Sequence, residues 1–360
     1  MSQVRSLTVT GYKSIRELKN FELKNLNVLI GANGAGKSNF ISLFRLLNEM
    51  YEQHLGVFVQ TQGGPDALLH FGRGKTDRLH AEFYFANNGY AFDLIPTNDN
   101  RLIFEREISK FLGVYYDSTP SAVLSTGHDE SKLKVATDPY SPYVRKSVDN
   151  WRVYHFHDTS EKAKVKQGHL VNDTLRLKTD AANLAAYLRM LRQEHEAEYG
   201  RIVSTIRLVA PFFDDFVHRP GKPEFIELEW TQVGNTDTPF KAHMLSDGTL
   251  RFICLATLLL QPLDLLPDTV LIDEPELGLH PYAISVLADM FKQVAERRQL
   301  IVSSQSVELV NELQPEDVIV VDQEDGASTF RRFEQTELDG WLQDYAMGEL
   351  WKRNVLGGRP

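Results

Sequence analysis

Apolar residues in the first third of the chain form short strand-like runs and one helix-like stripe. Residues 26–30 are a mainly apolar run of strand length, and an amphipathic helix is predicted soon after it. Residues 80–85 and 90–95 alternate between apolar and polar positions, which predicts two strands joined by a hairpin turn at residues 87–89. The apolar face of the predicted helix consists of Phe40, Leu43, Phe44, Leu47 and Tyr51.

The rest of the chain predicts an insertion followed by a regular alternation of elements. Residues 117–150 are rich in Ser, Thr, Asp and Pro and are expected to be loop-rich, and one long helix is expected between Asp180 and Pro211. From Leu245 onward the pattern predicts helix, strand, helix, strand, helix and strand. We therefore expect an α/β fold whose parts are residues 1–110, a loop-rich and helical insertion at 111–240, and residues 241–360.

Composition, net charge and cysteine content exclude several classes of protein. The chain has 360 residues, of which 42% are hydrophobic and 24% are charged, and its net charge of −10 argues against a generic basic DNA-coating protein. The single cysteine, Cys254, excludes an internal disulfide. No apolar run reaches membrane-spanning length and the start of the chain has no signal-peptide pattern, so a cytoplasmic protein without membrane contact is expected.

The strongest chemical signal is the stretch Gly31–Ser38, which matches the phosphate-binding loop G-x-x-x-x-G-K-[ST] between a predicted strand and a predicted helix. Glycines let the backbone N–H groups face a phosphate chain, Lys37 supplies positive charge for binding and catalysis, and the Ser38 hydroxyl is a candidate Mg²⁺ ligand. The loop alone leaves ATP and GTP open. The candidate nucleotide-binding residues are Gly31, Ala32, Asn33, Gly34, Ala35, Gly36, Lys37, Ser38 and Asn39.

A second signal is the apolar run that begins at Thr269 and ends in Asp273 and Glu274. Such a run predicts a buried parallel strand with the two acids at its carboxyl end, where ligands bind in sheets of this kind. Asp273 is the candidate Mg²⁺ ligand, and Glu274 is the candidate general base that polarises the attacking water.

Two further stretches accompany these motifs. The pentapeptide that starts at Leu245 reads L-S-D-G-T, in which Ser246 is a candidate helix cap and Gly248 keeps the backbone open to an anion. It resembles the ABC-type signature L-S-G-G-Q. Residues 301–306 are predicted to form a strand that ends in polar residues, among them Gln305.

On these motifs the chain resembles ABC-type AAA family ATPases of the RecF/SMC/OLD-like class, specifically a compact bacterial subgroup without a Toprim domain. The stretch Gly11–Ile15 resembles their N-terminal F-K-S strand. The resemblance implies an ABC-type head with a mixed sheet and an N-terminal antiparallel part, the first lobe carrying the phosphate-binding loop and the last lobe carrying the other motifs. It also implies that Gln305 occupies the slot of the switch histidine.

The same resemblance implies ATP and Mg²⁺ as cofactors. It further implies a homodimer or higher oligomer in which Ser246 and Gly248 of one subunit contact the γ-phosphate held by another. A separately encoded effector, Toprim-like or HNH nuclease, is the implied partner, in anti-phage defence or DNA maintenance, and DNA is a further candidate ligand. Two alternatives remain open, a RecF-like DNA clamp in repair and a P-loop kinase.

Overall fold

The computed structural model describes residues 3–112, 120–219, 221 and 224–359. They form two compact units, one made of residues 1–151 with 314–360 and the other of residues 152–313. The helices and strands follow in chain order: β1 (Ser6–Tyr12), β2 (Ile15–Glu22), β3 (Leu26–Ile30), α1 (Lys37–Tyr51), α2 (Leu55–Thr61), α3 (Pro65–Leu68), β4 (Leu79–Phe85), β5 (Asn88–Pro96), β6 (Leu102–Phe111), β7 (Ser121–Ser125), α4 (Ser141–Asp149), β8 (Trp151–Tyr154), β9 (His169–Leu170), α5 (Leu184–Glu194), α6 (Glu196–Val209), β10 (Phe213–Phe216), β11 (Phe225–Ile226), β12 (Glu229–Gln232), β13 (Asn235–Lys241), α7 (Asp247–Leu260), β14 (Thr269–Asp273), α8 (Pro281–Ala295), β15 (Gln299–Ser304), α9 (Val307–Asn311), β16 (Val318–Glu324), β17 (Ala327–Arg332), α10 (Gln335–Leu342) and α11 (Met347–Lys352).

The first unit contains an antiparallel sheet with the strand order β2-β1-β4-β5-β6-β7. Residues of β4 alternate between buried and half-buried positions, as expected for a sheet with one face on the core. The predicted hairpin is confirmed, but its turn lies at residues 86–87, and Asn88 and Gly89 already pair with β4. Ala86 takes the left-handed conformation, with φ of 50°, that a tight two-residue turn requires.

The same unit holds the strand that leads to the phosphate-binding loop. All five residues of β3 are buried, and β3 runs parallel to β16, which pairs in turn with β17 in the antiparallel sense. A strand buried in this way needs apolar residues at nearly every position, which explains the run that the sequence shows. The α/β fold class with an antiparallel part and a mixed part is therefore confirmed.

The structure corrects one local expectation in this unit and adds two elements to another. Lys13 and Ser14 form the turn between β1 and β2, with Lys13 at φ of 47°, so the stretch around them is not one strand. The region 117–150 is not only loop, because it contains β7 and α4; residues 113–119 lie outside the described part of the chain. The sequence signal of α4 was faint because the helix has few apolar residues overall; the ones that it buries are Val144 and Val148.

The second unit carries the parallel strands of the later motifs. The strands lie in the order β15-β14-β8, with β14 parallel to β15, and α7 packs against α6 and α8. The alternation of helices and strands predicted from Leu245 onward is confirmed. The prediction of a single long helix before Pro211 is wrong, because His195, at φ −140° and ψ 56°, separates α5 from α6.

The three-part division of the chain stays a prediction. Across the described residues, none of the helices combines the length and the apolar character that crossing a membrane would require.

Candidate functional site

The phosphate-binding loop joins β3 to α1 through glycines in conformations that other residues rarely adopt. Gly31, Gly34 and Gly36 have φ of 152°, 83° and 118°. A β-carbon at Gly31 would lie 2.1 Å from the carbonyl oxygen of Val321, so the loop leaves β3 in close contact with β16. Asn33, Gly34 and Ser38 are exposed, which leaves part of the loop open to a ligand.

Lys37 is the first residue of α1, and it is held by the loop itself. Its side chain is buried, with a residue exposure of 4%, and Nζ donates hydrogen bonds to the carbonyl oxygens of Gly31 (2.6 Å) and Ala32 (3.0 Å). The ammonium group is thus placed inside the curl of the loop, where a phosphate chain binds in loops of this kind. A buried charge at this point is compensated by carbonyl dipoles.

Two serines brace the loop from outside the motif. Ser328 Oγ on β17 donates to the carbonyl oxygen of Ala35 (2.5 Å) and lies 2.7 Å from Ser14 Oγ. Asn39 Nδ2 on α1 donates to the same Ser14 Oγ (2.7 Å). A β-carbon at Gly36 would lie 2.0 Å from Ser328 Oγ. The contact between Ser328 and the loop therefore requires glycine at position 36.

The acidic motif lies at the carboxyl end of β14, as predicted. Asp273 is the last residue of the strand, and its carboxylate accepts a hydrogen bond from the Ser303 hydroxyl. Glu274 has φ of 43°, and its backbone N–H donates to the carbonyl oxygen of Ser303 (3.0 Å). Left-handed backbone at a glutamate is uncommon, and such conformations cluster at functional sites.

Gln305, the residue after β15, contacts the candidate general base directly. Its side-chain amide donates a hydrogen bond to the carboxylate of Glu274. Its backbone N–H donates to Glu276 Oε1 (2.7 Å). An amide can orient a carboxylate or a water molecule in this way, although it cannot carry positive charge as a histidine can.

The signature-like loop is fixed at the start of α7. Ser246 is the N-cap, and its Oγ accepts a hydrogen bond from the backbone N–H of Thr249 (3.1 Å). Gly248 packs on the backbone of Gly278, whose carbonyl oxygen would lie 2.2 Å from a β-carbon at position 248. The loop therefore lies directly on the segment that follows the two acids.

Arg251 ties the same helix to two neighbouring segments. Its guanidinium donates to the carbonyl oxygens of Phe156 (3.0 Å) and His157 (3.2 Å) and to that of Leu277. Burial lowers the pKa of Arg251 below its usual value. His157 Nε2 lies 2.7 Å from the carbonyl oxygen of Asp273, so these contacts lead from α7 to the end of β14.

The structure therefore gathers the predicted residues into two groups. Residues 31–39 lie together in the first unit, whereas Ser246, Gly248, Asp273, Glu274 and Gln305 lie in the second unit. Within the described ranges, no group of three or more His, Cys, Asp or Glu side chains is placed to hold a metal ion by itself. A Mg²⁺ ion with one carboxylate, one hydroxyl and phosphate oxygens as ligands needs no such group.

Comparison with known proteins identifies the family. Residues 26–311 match the family described as "AAA domain, putative AbiEii toxin, Type IV TA system". The chain belongs to this family.

Solved structures resemble this AAA domain over almost its whole length. The Smc head bound to the C-terminal winged-helix domain of ScpA has a TM-score of 0.62 at 14% identity and covers 94% of this chain and 99% of its own. The Smc head with an extended coiled coil from Pyrococcus furiosus has a TM-score of 0.55 at 14% identity, with coverage of 95% and 98%. The fold is therefore that of an ABC-type head, and the expected resemblance to ABC-type AAA ATPases of the RecF/SMC class is confirmed.

One curated relative matches a shorter stretch. The chromosome segregation protein sudA of Emericella nidulans is 32% identical over 109 residues, which is 29% of this chain. The match spans only 8% of the length of that relative.

Some residues contribute to the site although the sequence assigned them no individual role there. Ser14 and Ser328 brace the loop, Arg251 links α7 to the acidic segment, and Glu276 holds the backbone of Gln305. Their partners lie far along the chain, so local patterns could not reveal them. The one available signal was Glu276 itself, a third carboxylate two residues beyond Glu274 and followed by Leu277, Gly278 and Leu279.

Proposed function

We propose that this AAA domain binds and hydrolyses ATP with Mg²⁺, with Glu274 as the general base. The observation that carries the proposal is the contact between the Gln305 amide and the Glu274 carboxylate at the end of β14. A base with a fixed orientation activates water more effectively than a freely rotating one. The unusual backbone of Glu274, at φ of 43°, supports a functional rather than a purely structural role for this residue.

The residues of the loop fit a nucleotide with its metal. Residues 31–39 provide backbone N–H donors at the start of α1, and Lys37 provides positive charge for the β- and γ-phosphates. Ser38 and Asp273 are the residues that would hold Mg²⁺, which when bound neutralises charge on the phosphate oxygens. Gln305 would assist Glu274 through its neutral amide, which distinguishes this chain from proteins with a switch histidine.

We further propose that hydrolysis controls an engaged dimer. Ser246 and Gly248 of one copy would close over the γ-phosphate bound by a second copy, so that two composite sites form about a two-fold axis. ATP would favour the engaged state and hydrolysis would release it. The exposed position of Ser246 at the start of α7 is compatible with such a contact.

The proposed output is control of a separately encoded effector, Toprim-like or HNH nuclease. The family description names a toxin of a type IV toxin–antitoxin system, which supports a role in anti-phage defence. Both of these solved Smc heads are bound to a C-terminal domain of ScpA, which supports use of a protein partner. The stretch similar to a chromosome segregation protein favours, as the second candidate, DNA maintenance or a RecF-like clamp.

The decisive experiment measures phosphate release and particle mass by light scattering for the wild-type chain and for Glu274→Gln. We expect Mg²⁺-dependent phosphate release that the substitution reduces by about two orders of magnitude or more. We also expect ATP-dependent assembly that persists in Glu274→Gln. A chain that stays monomeric with ATP would contradict the composite dimer, and transfer of phosphate to an acceptor other than water would favour the kinase alternative.

The role of DNA is tested by measuring binding of a short DNA duplex to the same proteins. Tight, salt-sensitive binding of a short duplex by the chain alone would favour the clamp. Activity that arises only when the effector is added would favour the defence role.

A further inference from the structure

Glu276 is a buried acid that has no place in the proposed chemistry. Its residue exposure is 8%, and Oε1 accepts hydrogen bonds from Ser304 Oγ (2.7 Å) and from the backbone N–H of Gln305 (2.7 Å). Among the described residues, its second oxygen, Oε2, is buried without a hydrogen-bond partner. A buried carboxyl with an unpaired oxygen costs stability, so its retention at this position calls for an explanation.

The contacts of Glu276 lead to the candidate base in two steps. Glu276 Oε1 holds the backbone N–H of Gln305, and the side-chain amide of Gln305 donates to Glu274. Glu276 Oε1 also accepts a hydrogen bond from Ser304 Oγ, which fixes that side chain. Ser304 Oγ in turn accepts a hydrogen bond from the backbone N–H of Ser306 (3.0 Å). The backbone on both sides of Gln305 is therefore held, and its side chain is aimed at Glu274 rather than left to rotate.

We infer that Glu276 is a positioning residue that sets the orientation of Gln305 and, through it, that of the base Glu274. The inference rests on the proposed function, since it assigns Glu276 a role in the same hydrolysis. Glu276 touches neither nucleotide nor water in this role.

The role requires an acceptor oxygen at the position of Glu276 Oε1. Burial raises the pKa of Glu276 above its usual value, and the charge of Glu274 raises it further. Both donors to Oε1 are neutral groups, and the carbonyl oxygen of a side-chain amide can also accept hydrogen bonds from them. Glutamine at position 276 should therefore replace glutamate, whereas an apolar residue should not.

The test is a mutant cycle on steady-state ATP hydrolysis with Glu276→Leu, Gln305→Ala and the double variant. If Glu276 acts through Gln305, each single change should lower kcat roughly tenfold, with KM for ATP little changed. The double variant should then be no slower than the slower single variant, since both changes remove one contact. Glu276→Gln should keep the wild-type kcat, because the amide oxygen can replace Oε1 as acceptor. Glu276→Ala serves as the second variant if Glu276→Leu does not fold.

Effects that multiply in the double variant, or a Glu276→Leu protein with wild-type kcat, would overturn the positioning role and leave ATP hydrolysis by the wild type intact. A kcat of Glu276→Gln as low as that of Glu276→Leu would also overturn the positioning role. Absence of hydrolysis in the wild-type protein, by contrast, would overturn the proposed function itself and with it the role of Glu276.

Discussion

The α-carbon of Gly248 lies against the carbonyl group of Gly278, so close that a β-carbon at position 248 would approach that oxygen to 2.2 Å. The oxygen belongs to the backbone and cannot swing away as a side chain can. We predict that Gly248→Ala forces α7 and the acidic segment apart, lowers the free energy of unfolding by about 1–3 kcal/mol and abolishes ATP-dependent assembly. Chemical denaturation and light scattering measure the two effects.

Gly200→Ala is the matched control, because Gly200 lies within α6 with no atom near enough to meet a β-carbon. Alanine there should raise the free energy of unfolding by about 0.5–1 kcal/mol and leave assembly unchanged. Equal behaviour of the two variants would show that the close approach of Gly248 has no consequence.

Arg251 is the basis of a second prediction. Its buried guanidinium donates hydrogen bonds to the carbonyl oxygens of Phe156, His157 and Leu277. Methionine has a similar length but donates no hydrogen bond, so Arg251→Met leaves these acceptors unpaired. We expect a loss of about 2–4 kcal/mol in the free energy of unfolding, measured by urea denaturation.

The control for this change is Arg201→Met on α6, where the arginine is exposed and forms an ion pair with Glu198 one turn away. Such a pair contributes about 0.5 kcal/mol or less. A loss at position 251 as small as that at position 201 would contradict the linking role of Arg251.

Ser328 supports a third prediction, on nucleotide affinity. Ser328→Ala removes the hydrogen bond to Ala35 and the contact with Ser14, and the phosphate-binding loop becomes less ordered before ATP binds. A loss of about 1 kcal/mol corresponds to roughly a fivefold rise in Kd for ATP, which calorimetric titration resolves. Ser204→Ala, at an exposed position of α6, should leave Kd unchanged; an unaltered Kd in Ser328→Ala would argue against the brace.

His218 makes stability depend on pH. Burial, helped by the charge of nearby Arg192 and opposed by that of Asp215, lowers the pKa of His218 to about 4. Above pH 6.5 the histidine is neutral in both the folded and the unfolded chain and has no effect. As the pH falls from 6.5 towards 4, only the unfolded chain takes up the proton, so the folded state loses stability over this window.

We therefore expect the melting temperature of the wild type to fall more steeply between pH 6.5 and pH 4 than that of His218→Gln, which cannot take up this proton. Scanning calorimetry at several pH values measures both slopes. The comparison isolates His218, since every other titrating group is common to the two proteins. Parallel slopes would contradict the assignment.

The sequence predicted those parts of the fold that local periodicity controls. The buried run of β3, the amphipathic α1 and the acids that end β14 each carry their own signal, because strand burial and helix faces impose their patterns on neighbouring residues. The α/β class follows from the order of these elements, whereas the ABC-type head was expected from the resemblance of the motifs to a known family.

What the sequence did not reveal depends on partners distant along the chain. No glycine or proline marks the break at His195 between α5 and α6, so the helix pattern runs across it without a stop signal. Lys13 reads as part of a strand until the pairing of β1 with β2 makes it a turn residue. The burial of Glu276 likewise depends on Ser304 and Gln305 at the end of β15.

The contact between Ser14 and Ser328 joins residues 314 positions apart along the chain. During synthesis from the N-terminus, the phosphate-binding loop, β3 and α1 leave the ribosome long before β17 does. A nascent chain that ends ahead of residue 328 contains every residue of the loop motif and lacks half of its brace. We therefore expect the phosphate-binding loop to be fully braced, and nucleotide to be held firmly, only after residue 328 has emerged.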